Sequence, residues 1–269
     1  MHGLAAPVFA VLTGLGILVS APAGARELSI IASELPPMFT RNGSGHEADI
    51  VRETLAACGH SVKFTVVPSS RNWSEFKRGA YDAVTTVPPD MDLGGQKSAV
   101  YIRYQNGASV LASSGLTVKS LSDLVGRRVI TFASARKILP GLHNAAESFA
   151  DYRENAGQLI HSKLLFAARV DVVLGDGLIF AEYNRQLRER AKAGESLPFN
   201  PHQSTIFTAI FPPTSYVMVF KDGGVRDDFN HCFQQLSESG RIAAILKKAV
   251  EPYRDALGAQ YLPPSSLRH

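Results

Sequence analysis

One phrase is written twice in this chain, and the repetition restricts the folds open to it. Phe76-Lys77-Arg78-Gly79-Ala80-Tyr81-Asp82-Ala83-Val84-Thr85-Thr86 reads as the last turn of a helix, a glycine stop, an acidic turn residue and a buried strand. Gly79 suits the left-handed residue that ends many helices, because it has no Cβ to clash. Lys77 and Arg78 sit where cations meet the negative end of the helix dipole. The short apolar run after Asp82 suits a parallel strand covered on both faces. Far downstream, Ala168-Arg169-Val170-Asp171-Val172-Val173-Leu174-Gly175-Asp176 repeats basic turn, Asp and buried strand. The repetition predicts two similar α/β lobes. The strand ends at Thr85-Thr86 and Gly175-Asp176 then face each other across a cleft, beyond the carboxyl ends of the strands, where open α/β sheets bind ligands.

The intervening sequence supports this architecture. Leu28–Ala32 is a first strand, and Glu34-Leu35-Pro36-Pro37-Met38-Phe39 a rigid loop at its carboxyl end. Glu47–Cys58 has helical spacing of apolar residues and stops at Gly59. Val62–Val67 is a second strand, and Ser70 the expected cap of the helix that ends at Gly79. Strand, helix, strand, helix, strand is a parallel doubly wound unit. Tyr101–Ala112 reads as extended chain leaving the first lobe, and Arg128–Phe132 opens the second. A helix over Gln158–Ala168 precedes the echo strand, and a long helix over Gly177–Ala193 follows it. Pro198–Pro213 reads as loop. Ser215–Phe220 is a last strand, Val225–Val250 gives two helices broken at Gly240, and the tail after Pro263-Pro264 reads as disordered.

A chain of 269 residues that is 45% apolar and 19% charged has enough core for two such lobes. Its net charge of +4 carries no implication of nucleic acid. The densest basic segment, Arg185–Lys192, has no aromatic for base stacking and reads as a solvated helix face. Val8–Val19 has the length of a signal-peptide core and is too short to span a bilayer. Ala23-Gly24-Ala25 is a small-x-small cleavage site that leaves Arg26 at the mature end, although the segment before the core lacks Lys and Arg. A periplasmic protein is expected. An oxidising compartment permits a bridge between Cys58 and Cys232, but each also fits the apolar face of a helix. Two buried free thiols are the simpler expectation.

Taken in order, these pieces resemble the family 3 solute-binding proteins of ABC importers, the polar amino-acid class. The resemblance rests on Glu47–Glu53, Phe76–Thr86, Leu121–Gly126, Arg169–Asp176, and Ser215–Phe220 followed by Gly240-Arg241-Ile242. Pro68-x-x-Arg71 looks like the subgroup with Pro-Trp-x-Arg at that place, with Ser69 for the Trp. The resemblance implies a type II periplasmic-binding-protein-like fold of two doubly wound lobes joined by two hinge strands. Residues 1–25 would be the signal peptide, 26–106 with 213–269 the first lobe, and 107–212 the second. It implies a monomer that closes over a small polar solute and presents it to an ABC permease, with no cofactor, metal or nucleic acid.

The same resemblance assigns ligand-facing positions. Glu34 falls in the first-lobe loop, Ser69 where an aromatic commonly stacks, and Thr86 at a strand end that offers backbone groups. Ser134 and Arg136 fall in the loop that meets a ligand carboxylate, and Asp176 where an acid holds an α-ammonium. The family's carboxylate-clamping Arg would fall near Gly94-Gly95, but this chain has Met91-Asp92-Leu93-Gly94-Gly95-Gln96-Lys97 there. A lysine replaces a bidentate guanidinium poorly. Arg71, Arg103 or Arg136 then supplies a relocated cation, or the ligand is an amine without a carboxylate.

Two other readings stay open: a sensing or accessory subunit of the same fold, and a cyclohexadienyl-type dehydratase using Glu34 with an Arg. No other catalytic set is present. Ser134-x-x-Lys137 lacks the companion motifs of acyl enzymes, His-Glu-x-x-His is absent, and no glycine-rich phosphate loop follows the first strand. The expectation is therefore a binding protein and not an enzyme.

Overall fold

The computed structural model describes residues 24–258 and Tyr261. The expected signal core Val8–Val19 and the tail from Leu262 onward lie outside the described residues. The chain begins with β1 (Glu27–Glu34), α1 (His46–Ala57), β2 (Ser61–Pro68), α2 (Asn72–Arg78), β3 (Ala83–Val87), β4 (Gln96–Lys97) and β5 (Ile102–Tyr104). It continues through β6 (Asn106–Leu111), β7 (Arg128–Thr131), α3 (Ala135–Ile138), α4 (Leu142–Ala145), β8 (Asp151–Glu154), α5 (Leu159–Phe166), β9 (Val172–Asp176), α6 (Gly177–Lys192) and β10 (Thr205–Thr208). It closes with β11 (Thr214–Phe220), α7 (Gly223–Glu238), α8 (Arg241–Val250) and α9 (Arg254–Leu257).

These strands form two sheets. The first has the order β2-β1-β3-β11-β4, with β5 on β11; the second has the order β10-β6-β9-β7-β8. In each, three strands run parallel, β2-β1-β3 and β9-β7-β8, as the repeated phrase predicts. Antiparallel strands complete both sheets: β11 against β3, and β6 with β10 against β9. The chain crosses from the first sheet to the second between β5 and β6 and returns between β10 and β11. The two crossings lie side by side. Gln105 Nε2 donates to Phe211 O at 2.8 Å, and Asn106 Nδ2 donates to Thr214 Oγ1 at 2.9 Å.

The repeated aspartate has one structural reason in both places. Asp82 Oδ2 accepts the backbone N–H of Ser29 at 2.8 Å, while Asp82 N donates to Ser29 O at 2.8 Å. Asp171 Oδ2 accepts the N–H of Arg128 at 2.8 Å, while Asp171 N donates to Arg128 O at 2.8 Å. Each acid therefore locks the start of its own strand to the neighbouring parallel strand, β1 or β7. The apolar residues that follow, Val84, Val172 and Leu174, are wholly buried. Burying each such side chain stabilises by about 1.5–3 kcal/mol.

Several expectations are corrected. Gly79 is extended, at φ −96° and ψ 174°, and not left-handed. Its reason is space: an added Cβ would lie 2.6 Å from the Tyr81 ring and 2.8 Å from Glu75 O. In the echo the left-handed residue is Ala168, at φ 51°. Arg71, not Ser70, stands at the start of α2, and no side chain caps that helix. Cys58 and Cys232 are not free thiols; they are joined, with Cα atoms 6.0 Å apart, and fasten the end of α1 to α7. Helical spacing read each thiol as a core residue of its own helix and carried no information that the two helices pack together.

Beyond α8 the chain leaves the first sheet. Tyr253 donates to Glu182 Oε2 on α6 at 2.6 Å, Leu257 meets the site of Gly177, and the ring of Tyr261 lies 6.0 Å from that of Phe207 on β10. The last described residues thus lie on the second sheet's layer.

Candidate ligand cleft

A cleft of ≈ 340 Å³ lies between the two sheets. One wall comes from the first sheet's side: Ser33 on β1 and Leu35 after it, Ser69 and Ser70 after β2, Trp73 on α2, and Thr86 on β3. The other comes from the second: Phe132 and Ser134 after β7, Ala156 and Gln158 before α5, and Asp176 with Ile179 at the start of α6. Tyr104, Asn106 and Tyr216, beside the crossings, line it as well. Both walls are built from carboxyl ends of parallel strands, because there the chain turns away and leaves side chains and backbone unpaired.

Backbone strain marks both walls. Thr86 has φ 58° and Ser134 has φ 67°, left-handed values rare for residues other than glycine. Each is held by a buried or local carboxylate. Thr86 Oγ1 donates to Glu47 Oε1 at 2.7 Å, and its N–H donates to the Tyr101 hydroxyl oxygen at 3.0 Å. Ser134 N donates to Glu154 Oε2 at 2.8 Å.

Glu47 is the centre of the first network. It is wholly buried in the first turn of α1, and the hydroxyls of Tyr101 and Tyr104 also donate to its carboxylate. Burial pushes its pKa up, and the three hydroxyl donors pull it back part of the way. Sequence reading saw Glu47 only as part of an early helix. The acid sits behind the wall, and Thr86 and Tyr104 are the parts of its network that reach the cleft.

Asp176 is the acid that lines the cleft among the described residues. As the first residue before α6, it accepts the N–H groups of Leu178 at 2.9 Å and Ile179 at 3.0 Å through Oδ1. Its other oxygen accepts the Tyr261 hydroxyl at 3.0 Å. Burial pushes its pKa up to about 7, against the pull of those donors. The capping role and the cleft position, alternatives on sequence grounds, coexist.

The other positions named from sequence divide in two. Ser69, Thr86, Ser134 and Asp176 are brought to one cleft; Glu34, Arg71, Arg103 and Arg136 are not among its lining residues. Glu34 pairs with Arg41 at 3.0 Å, and Arg71 is exposed and pairs with Glu75 at 3.4 Å. Arg103 belongs to β5, paired with β11 at Ser215. The Arg136 guanidinium lies 4.4 Å over the Tyr152 ring. Lys97, the cation nearest the expected clamp in sequence, donates to Pro89 O at 2.8 Å. No arginine, lysine or histidine lines the cleft among the described residues, and no cluster there has the makings of a metal site.

No family model and no curated protein matches this chain. Solved structures do. An ancestral arginine-binding protein bound to arginine aligns with a TM-score of 0.64 and 18% identity, over 82% of this chain and 97% of that one. The fold is that of the type II periplasmic binding proteins. A substrate-binding protein of an amino-acid ABC transporter aligns at 0.62 and 13% identity, over 84% and 99%. A histidine kinase sensor domain with similarity to periplasmic binding proteins aligns at 0.66 and 16% identity, over 83% and 96%. Against this fold, the cleft between the sheets is where its strand ends converge. No helix among the described residues is long and apolar enough to cross a membrane.

Proposed function

We propose that this chain is a periplasmic solute-binding protein that captures a small amine or amino-acid-like ligand and delivers it to an ABC importer. The observation that carries this reading is the cleft itself. It takes residues from both sheets and, among the described residues, holds one acid, Asp176, and no nucleophile-base pair, metal cluster or phosphate loop. Residues 26–106 with residues 213–250 act as one jaw, and residues 107–212, with Tyr253, Leu257 and Tyr261 packed on them, as the other, hinged at the paired crossings beside Gln105 and Thr214. A ligand that contacts both jaws binds the closed form better than the open one, and that difference drives closure. Ser69 and Thr86 serve one side; Ser134 and Asp176 serve the other. The protein acts as a monomer, its partner is the importer's permease, and the signal segment directs it to the periplasm.

The likeness to a kinase sensor domain favours a second reading, in which the same cleft senses a solute and reports to a partner protein. A dehydratase needs an acid and an Arg in the cleft. Glu34 and the three arginine candidates, Arg71, Arg103 and Arg136, are not among its lining residues, so that reading has no chemical set here. A thermal-shift and calorimetric screen of amines, amino acids and small acids tests the proposal. It expects saturable binding with the solute recovered unchanged; turnover of the solute, or no hit in the screen, contradicts it.

A further inference from the structure

The walls of the cleft are unequally equipped for charge. A carboxylate leaving water needs cations or free N–H donors. No basic side chain lines the cleft among the described residues. Three backbone donors at or beside its walls, those of Thr86, Ser134 and Arg136, are engaged within the protein. Thr86 N–H donates to the Tyr101 hydroxyl oxygen at 3.0 Å. Ser134 N and Arg136 N donate to the two carboxylate oxygens of Glu154, at 2.8 and 3.0 Å. Tyr152 donates its hydroxyl to the same carboxylate at 2.7 Å. Glu154 thus occupies the place a ligand anion would take at that loop. Partial burial raises its pKa, and the N–H of Arg136, the Tyr152 hydroxyl and the Ser134 N–H more than reverse this, so it stays ionised at neutral pH.

What remains suits the opposite charge. Asp176 lines the cleft, and its Oδ2 has the Tyr261 hydroxyl as its hydrogen-bond partner. The same cleft is lined by Trp73, Tyr104, Phe132 and Tyr216, with Ile138 and Ile179. Aromatic faces attract cations, and this attraction grows as water is excluded. The neutral donors, Ser69, Gln158 and the buried, unbonded indole N–H of Trp73, suit a hydroxyl or ether and supply no net positive charge.

We infer that the cleft selects a small amine cation with an aromatic or branched apolar body and no carboxylate, its ammonium on Asp176. The inference rests on the solute-binding reading above and narrows it. An α-amino acid would bring a second anion into a cleft whose one uncompensated charge is already negative. Glu154 is the specificity-determining residue: by filling the loop donors it denies them to a ligand carboxylate.

Matched pairs test this. Phenethylamine against phenylalanine, and isoamylamine against leucine, are titrated calorimetrically into the mature protein, with 2-phenylethanol as the uncharged control. The expected result is that each amine binds at least tenfold tighter than its parent amino acid and than the alcohol. Glu154→Ala frees two N–H donors and brings the amine-to-amino-acid ratio toward one. Asp176→Asn keeps a capping side chain, so the melting temperature verifies folding while amine binding is lost. Amino acids that bind as tightly as their amines overturn the inference and leave the solute-binding reading standing. So does tight binding of the alcohol alone. A broad solute screen with no binder at all removes both.

Discussion

The hydroxyl of Tyr261 lies 3.0 Å from Asp176 Oδ2 and 3.2 Å from Oδ1, so the last described residue of the chain ties down the acid of the cleft. The contact joins residues 85 positions apart, and both are buried. If Asp176 takes an ammonium as proposed, Tyr261 would share Oδ2 with it. Tyr261→Phe removes one hydrogen bond to a carboxylate, which costs about 1–2 kcal/mol of stability. A lower melting temperature together with unchanged or tighter amine affinity is the expected result. Loss of amine affinity would show that the hydroxyl contacts the ligand directly.

Amine affinity should depend on pH through Asp176. Its pKa of about 7 means that the acid is half protonated near neutrality, and an ammonium needs it ionised. The groups facing it, Tyr261 and Tyr216, have pKa values pushed well above the tyrosine range by burial, so they stay protonated through this window. The apparent dissociation constant should rise by about 100-fold between pH 8 and pH 5 for an amine that stays charged throughout. In the free protein the sign is reversed. Asp176 binds a proton more readily folded than unfolded, so its contribution to stability falls as pH rises from about 4 to 7. A pH-independent dissociation constant, measured by calorimetry in buffers of matched ionic strength, would contradict this assignment.

Glu47 should couple stability to binding. Three hydroxyls donate to its buried carboxylate. Glu47→Ala leaves them without an acceptor and opens a void, and the expected loss is about 3–5 kcal/mol. Glu47→Gln keeps the volume but supplies only one carbonyl acceptor, and should lose less. In both variants amine binding weakens, because Thr86 and Tyr104 lose the partner that positions them. Chemical denaturation and calorimetry measure the two effects separately.

The disulfide should matter to stability and not to binding. Cys58 and Cys232, 174 positions apart, are bridged on the first sheet's side, and neither lines the cleft. Reduction, or a Cys58→Ser/Cys232→Ser double variant, should cost about 2–5 kcal/mol. The amine dissociation constant should stay within about twofold of the oxidised protein's at a temperature where both forms are folded, a change of under 0.5 kcal/mol.

Much of the fold was legible because its signals are local. Asp82 and Asp171 stand before their strands in sequence and lock them in space, so one repeated phrase announced both sheets. Gly240, at φ 79°, breaks α7 from α8 where the glycine stands in the chain. Signals that depend on long-range contact were lost. Gly79 was read as a conformational need, whereas a ring two residues on decides it. β8 and β10 were missed: Asp151–Glu154 is polar, and Thr205–Thr208 lies in a stretch bounded by prolines. In the cleft, strand ends pointed to Thr86 and Asp176. Glu47 and Tyr261 came from distant segments with no motif to mark them. Arg71 and Arg136 went the other way: a positive charge is visible in sequence, but the Glu75 carboxylate or the Tyr152 ring that engages it is not.

In a two-walled cleft of this kind, one solute is held by both sheets at once. Hydrogen–deuterium exchange of the mature protein with and without saturating phenethylamine, or the tightest binder from the screen, tests that directly. The expected result is joint protection at Ser69–Trp73 on the first wall and at Phe132–Gln158 with Asp176–Ile179 on the second. Protection confined to one wall, or to neither, would contradict it.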